Sequence, residues 1–300
     1  YGNADVSVST ENPDSVWDAT FAGVWHLDES PPDWNAGHTD ASGNANHATP
    51  KNLNDGGGGT TDAVGKILGA DFFKGDDDWV EAPTSNSLDI LGNELTLSAW
   101  VKSTVDQNDD CGIVIKSDGS NYNYQLGLQG SDQSNFRVKT SSKTTYLTGG
   151  TVLNQDQWYF IYGIYDGTTA RVFVNGSQDG SDNIGGNIAS SGTAPLLMGR
   201  RAIGDNRFFE GTIDEVRVSN VARSTCWMET EYSNQNNPGA FIDVGAEQSE
   251  RPTYTITATA GANGVISPSG ISVVTEGGSK SYVIVANEGY EVDTLTIDGT

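Results

Sequence analysis

ELTLSAWVK, residues 94–102, sets Leu95, Leu97, Ala99 and Val101 on one side of an extended chain and Thr96, Ser98 and Trp100 on the other. It reads as a strand with one fully apolar face. WYFIYGIY, residues 158–165, is apolar at both parities, as a central strand covered on two sides would be. A short buried helix would share that pattern, and the β-branched and aromatic content favours the strand. Arg171 to Val174 then runs into Asn175-Gly176, a dipeptide suited to the positive φ angles of a two-residue hairpin turn. Further short strands are read at 23–27, 79–82, 112–116, 124–128, 136–138, 196–199 and 212–219, with turn signals between them. The fold class is therefore all-β, a sandwich. One helix is expected, capped by Ser224 and running from Thr225 to Tyr232, where Trp227, Met228 and Tyr232 can pack.

The 300 residues carry 16 Lys and Arg against 40 Asp and Glu, a net charge of −24. Neutralising phosphates needs a basic surface, so nucleic acid is excluded as a partner. Hydrophobic residues make up 35% of the chain, enough for a core. No apolar run approaches the roughly 18 to 20 residues of a membrane helix, so membrane insertion is not expected. The opening YGNADVSVST lacks the basic and apolar stretches of a signal peptide, and the chain reads as a piece of a longer soluble protein. Cys111 and Cys226 have no zinc-site spacing and could form one disulfide. Acidity with abundant Gly, Asn, Ser and Thr fits a secreted or cell-surface protein working in salt or calcium-rich water.

Around EQSERP, residues 247–252, the apolar pattern lapses, and from Tyr254 β-branched and small residues alternate between glycine turns. The expected organisation is a linker or domain end over 1–19, a main domain over 20–247, a linker over 248–253 and a small all-β unit over 254–300.

Three segments carry a family resemblance: VWHLDE with DASGNANHATP (24–50), DFFKGDDDWVEAPTSNSLDILGNELTLSAWVK (71–102) and FFEGTIDEVRVSNVARS (208–224). In order and spacing they resemble laminin G-like, concanavalin A-like jelly-roll domains over roughly residues 20–247. The resemblance implies a jelly-roll β-sandwich of two antiparallel sheets, one bent into a concave surface. Residues 1–20 resemble the closing end of a bacterial extracellular domain. The tail from Tyr254 resembles a divergent, partial internalin-type B repeat. Together these imply an extracellular, bacterial, multidomain setting.

On a regular strand Asp214 would share a face with Val216 and Val218, and a buried carboxylate needs a cation or dense hydrogen bonding. Calcium takes about six to eight oxygen ligands, and Asp- and Asn-rich loops such as DASGNANH, residues 40–47, supply them. Related jelly rolls hold a structural calcium beside the strand carrying the IDEV motif. The resemblance transfers that role to Asp214, with Asp28, Asp40 and Asn44 as further candidates. Equally, Asp40, Asn44 and Asp214 could cap turns through backbone bonds. The acidic runs Asp76-Asp77-Asp78, 106–110 and Asp118 read first as solvated loops.

Some jelly-roll relatives are glycoside hydrolases and need two carboxylates across the scissile bond. The Glu-x-Asp-x-Glu strand of laminarinase-type relatives does not occur here, and Glu229 and Glu231 fall in the expected helix, where i and i+2 diverge. His26, His38 and His47 fit no zinc pattern and read as structural. Neither a G-x-S-x-G elbow nor a phosphate loop is present. The chain is expected not to be an enzyme.

Sugar binding combines aromatic faces with amides, carboxylates or arginines. SDGSNYNYQ, residues 117–125, places Tyr122 near Asp118 and Asn123, and GRRAIGDNRFF, residues 199–209, offers Arg200, Arg201, Asn206, Arg207 and Phe208. Brought to one edge, they would suit a polysaccharide or glycoconjugate, and the three arginines hint at an acidic one. The alternative is that Tyr122 is a lone surface aromatic and the arginines pair with nearby acids. A structural or adhesive spacer with protein partners is the rival function. Trp25, Trp79, Trp100 and Trp158 read as core.

Overall fold

The computed structural model describes residues 16–29, 37–53, 63–107, 110–117, 119, 122–241 and 251–297. The chain divides into two compact units, Tyr1–Ile242 and Asp243–Thr300.

The strands of the first unit are β1 Phe21–Trp25, β2 Thr49–Lys51, β3 Ala63–Val64, β4 Gly69–Lys74, β5 Trp79–Ala82, β6 Leu95–Ser103, β7 Cys111–Ser117 and β8 Tyr122–Gln129. They continue as β9 Gln133–Val138, β10 Leu147–Val152, β11 Tyr159–Tyr165, β12 Thr169–Val174, β13 Ser177–Asn183, β14 Leu196–Met198 and β15 Glu210–Ser219. One antiparallel sheet has the order β13-β12-β11-β6-β15-β4-β3, with β1 also on β15; the other has the order β10-β9-β8-β7-β14-β5-β2. This is the sandwich expected from the strand pattern, in the jelly-roll form that the family resemblance implies.

The core lies between the sheets. Leu95, Leu97, Ala99 and Val101 of β6 meet Tyr124, Leu126, Leu128, Phe136 and Val138 from the opposite sheet, all buried. β11 divides its apolar residues between two layers, with Ile161 and Tyr165 in this core and Phe160, Tyr162 and Ile164 on the sheet's other side. Helix α1, Thr225–Asn236, covers that other side. Ser224 caps it by accepting from Trp227 N at 3.2 Å. Met228 is buried among Trp100, Phe160 and Tyr162, and Tyr232 stacks on Trp100 at 5.8 Å. The helix runs one turn beyond the expected Tyr232, and Trp227 is exposed rather than packed. A short α2, Pro238–Phe241, follows. The Asn175-Gly176 turn joins β12 to β13 with φ of 50° and 84°.

Three expectations are corrected. Asp214 does not share the face of Val216 and Val218: between Asp214 and Arg217 β15 has one residue more than its partner β6, and Glu215 takes φ 54°. This bulge reverses the parity, so Ile213, Val216 and Val218 point into the core while Asp214 stands opposite Trp100 on the other face. The cysteines are free, Cys111 buried and Cys226 exposed, so no disulfide joins them. Trp25 and Trp100 are core, but Trp158 is only partly buried against the outer layer and Trp79 is partly exposed and belongs to the loop cluster described below.

In the second unit β16 (Thr253–Ala258) pairs with β18 (Gly270–Thr275), and β17 (Gly264–Ser267) with β19 (Val283–Ala286). Among its described residues only Ala258 is buried. Residues 1–15 and 242–250, which include most of the expected N-terminal segment and part of the expected linker, lie outside the described residues.

Candidate functional site

In the seven-stranded sheet the positions of β8 and β9 that face away from the core are polar, whereas Ile115 of β7 and Leu197 of β14 make the adjoining part of that face apolar. On β8, Tyr124, Leu126 and Leu128 enter the core and leave Gln125, Gly127 and Gln129 outside; on β9, Asn135 and Arg137 take the same face. β8 carries an irregularity where the register passes from Lys116↔Tyr124 to Ser117↔Tyr122. The extra residue is Asn123, and it returns Tyr122 to the outward side.

Asp110, at the start of β7, organises this face. Its Oδ2 accepts from Arg137 Nη2 at 2.6 Å and Arg201 Nε at 2.7 Å, and its Oδ1 accepts from Gln125 Nε2 at 2.9 Å. A side-chain carbon at Gly112 would lie 2.6 Å from the Arg200 carbonyl, so glycine permits the close approach of the 199–209 loop. Arg201 Nη1 reaches Asp205 Oδ2 at 2.6 Å, and Arg207 closes a fork on Asp205 at 2.9 and 2.7 Å. The Arg207 guanidinium, with Arg201, holds the Asp205 carboxyl well below the usual carboxylate range despite its partial burial. The result is an alternating strip, Arg207–Asp205–Arg201–Asp110–Arg137, with more positive than negative groups.

Aromatic rings accompany the strip. Arg201 lies 5.6 Å from the Tyr122 ring centre and Arg137 lies 4.6 Å from that of the exposed Tyr146. At the other end Arg200 is held between Trp79, at 4.5 Å, and Phe208, at 4.9 Å. Its Nε and Nη2 donate to the Asp205 carbonyl at 3.2 and 3.1 Å. Beside Phe208 an open pocket of about 210 Å³ is lined by Asn206, Arg207, Asp106, Gln107 and Glu210, with Gly75 and Val105. The pocket offers an aromatic edge, two amides, two carboxylates and a guanidinium, the set of groups that satisfies sugar hydroxyls.

Of the residues expected from sequence, Tyr122 and Arg201 meet on the strip, and Asn206, Arg207 and Phe208 meet at the pocket. Arg200 is a buried clamp. Asn123 is fully buried, donating to the carbonyls of Ile90, at 3.3 Å, and Ala189. Asp118 lies outside the described residues. Sequence reasoning missed Trp79, Asp110, Arg137, Tyr146 and Asp205.

The expected calcium ligands are placed differently. Both oxygens of Asp40 are engaged by backbone N–H groups: Val24 and Ser42 on Oδ1, Asn46 on Oδ2, each at 2.9 Å. Asn44 donates its amide to the Phe21 carbonyl at 2.7 Å. Asp28 is exposed. Asp214 is fully buried; its Oδ2 accepts from Lys66 N at 2.7 Å and Ile67 N at 2.9 Å, and its Oδ1 has no hydrogen-bond partner. Burial pushes its carboxyl up to about 7. Among the described residues the group of three acidic side chains close enough to share an ion is Asp76, Asp77 and Asp78, not these. The histidines are paired: His26 with Glu215, and His38 between Glu29 and Asp71. His47 accepts from Asp40 N.

Two antiparallel sheets packed face to face, with an aromatic-edged loop pocket beside them, make this unit a concanavalin A-like jelly roll. The family model for the concanavalin A-like lectin/glucanases superfamily matches residues 74–229, and the chain belongs to that superfamily. No curated protein sequence matches the chain. Among solved structures it is similar to domain 4 of AbnA, an extracellular arabinanase of Geobacillus stearothermophilus solved with arabinotriose, at 19% identity and TM-score 0.53, covering 70% of this chain and 97% of that one. It is also similar to the binding domain of Paraclostridial Mosquitocidal Protein 1, at 14% identity and TM-score 0.56, over 72% of this chain. The botulinum neurotoxin serotype D binding domain matches at 12% identity and TM-score 0.53, over 75% of this chain. The match spans about half the length of each toxin domain, 52% and 53%. At these identities the likeness is one of fold.

Proposed function

We propose that the first unit is a non-catalytic carbohydrate-binding module of an extracellular protein, and that it grips a polysaccharide along the strip from the Phe208 pocket to Tyr146. The observation that carries this reading is the strip itself: Tyr122 and Tyr146 flank a run of guanidinium and carboxylate groups that continues into a pocket holding Asn206, Arg207 and Phe208. Rings cover the C–H faces of a pyranose, and the polar groups satisfy its hydroxyls. Membership in a superfamily that includes lectins and the fold shared with an arabinotriose-bound domain support the same class. Three arginines against two aspartates on the strip favour an acidic glycan there, while Asp106 and Glu210 suit the Phe208 pocket to a neutral sugar. The outward side chains of β8 are the amides Gln125 and Gln129, with glycine between them, where a glycosidase needs carboxylates, which supports binding without chemistry.

A structural calcium beside β15 would use Asp214, whose Oδ1 lacks a hydrogen-bond partner among the described residues, while Asp40 already accepts three backbone hydrogen bonds.

The test is retention on gels of neutral and acidic polysaccharides, with Tyr122→Ala, Phe208→Ala and Arg207→Ala. Retardation greatest on acidic gels, weakened by salt and lost in the variants, is expected. Absence of retardation on every gel, or retardation unaffected by all three substitutions, would overturn the proposal.

A further inference from the structure

The turn between β4 and β5, Gly75-Asp76-Asp77-Asp78, carries three consecutive carboxylates, and one oxygen from each lies within 4.8 Å of the others. Two oxygens bound to one calcium at about 2.3–2.6 Å stand at most about 5 Å apart, so three oxygens within 4.8 Å of one another can share a calcium shell, whereas magnesium is usually held by one or two carboxylates. Hydrogen bonding occupies only part of each carboxylate. Asp76 Oδ1 accepts from Asp77 N at 2.8 Å, Asp77 Oδ2 accepts from Asn52 Nδ2 at 3.2 Å, and Asp78 Oδ2 accepts from Lys74 N at 2.8 Å. One oxygen of each group is left over.

Asp78 supplies an independent sign. Its side chain is fully buried, unlike the exposed Asp76 and Asp77, yet its Oδ1 has no hydrogen-bond partner, and Lys74 Nζ stands 4.0 Å away, beyond hydrogen-bond reach. The Lys74 ammonium, its ion-pair partner, offsets one charge, and three carboxylates this close leave negative charge for a further cation to balance. The turn is also held in place: Gly75 has φ 81°, and a side-chain carbon there would lie 2.7 Å from Glu210 Cβ, so the turn packs directly on β15.

We propose that Asp76, Asp77 and Asp78 bind a calcium ion at this turn, with water completing its shell. This site is separate from any ion beside Asp214 and does not rest on the glycan reading, although Gly75 also lines the Phe208 pocket.

Trp79 follows Asp78 directly, so terbium, a calcium substitute, gives the readout: excitation of the indole makes nearby terbium luminesce. The intact protein is titrated with terbium and then with calcium. Saturable emission displaced by calcium, lost in Asp76→Asn/Asp77→Asn and kept in Asp214→Asn, is the expected result. Both substituted aspartates of the double variant are exposed, so its thermal unfolding curve serves as the check on folding, and Asp78→Asn is the second variant. Absence of calcium-displaceable emission, or emission that survives the turn substitutions and disappears in Asp214→Asn, would overturn the site. Gel retention is measured separately, so loss of glycan binding leaves this result intact.

Discussion

Arg201 Nε donates to Asp110 Oδ2 at 2.7 Å, across 91 residues of sequence, and this bond ties the 199–209 loop to the edge of β7. Asp110 also holds Arg137, and all three side chains are largely buried. Asp110→Ala leaves the Arg137 guanidinium without its carboxylate and Arg201 with Asp205 alone. Breaking a buried pair from one side costs about 3 kcal/mol. The variant is expected to unfold at correspondingly lower urea and to lose polysaccharide retention, because Tyr122 and the loop no longer share an anchor. A variant of unchanged urea midpoint would mean that the network contributes nothing to stability.

His38 should give the fold a dependence on alkaline pH. Burial opposes its protonation, but ion pairs with Asp71 at 2.9 Å and Glu29 at 2.7 Å prevail and push the imidazole up to about 10. A group raised from 6.5 in the folded state contributes stability that is complete below 6.5 and disappears as pH climbs through about 10. Urea unfolding midpoints should therefore fall between pH 6.5 and 10. His38→Gln should be less stable at pH 6 and should lose most of that slope. An equal slope in the variant would place the dependence elsewhere.

Asp214 carries the opposite consequence for its charged form. Its burial raises the carboxyl from 3.8 to about 7, so the native state favours the proton. That contribution is complete below 3.8 and is lost as pH rises to about 7. In chelator, Asp214→Asn keeps an acceptor for Lys66 N and Ile67 N and removes the charge. It should match or exceed the parent in thermal stability at pH 8, with a flatter profile between pH 4 and 7. A lower melting temperature at pH 8 would show that the ionised group has a partner.

The patterns that were legible are those decided by neighbours in sequence. The alternation of Leu95, Leu97, Ala99 and Val101, the double-sided β11 and the Asn175-Gly176 turn each follow from local spacing, and the sandwich follows from them. Asp214 was misplaced because a bulge at a non-glycine residue, Glu215, leaves no mark in TIDEVRV, and one extra residue inverts the face of everything after it. Trp79 could have been found: in WVEA the buried Val80 and Ala82 oblige Trp79 and Glu81 to point outward. Asp110 with Arg137, and Arg137 with Tyr146, depend on which strands lie side by side, and single-sequence periodicity does not contain that.

The outer layer on the eight-stranded sheet yields the last prediction. Trp100 is fully buried there, with Phe160 5.2 Å away, Tyr232 at 5.8 Å and its Nε1 donating to Gln235 Oε1 at 2.5 Å. Helix α1 therefore holds its place through Met228, Tyr232 and Gln235 rather than through a strongly apolar face of its own. Met228→Ala opens a cavity under the helix and should cost about 2–4 kcal/mol. Because Trp100 lies at that seam, its emission should shift red as water reaches the indole, whereas the sheet-to-sheet core, on the far side of β6 and β11, stays closed. The expected far-ultraviolet dichroism of the variant is that of an intact β-sandwich with slightly less helix. A Met228→Ala protein as stable as the parent, with unshifted tryptophan emission, would show that the helix is not what seals this face.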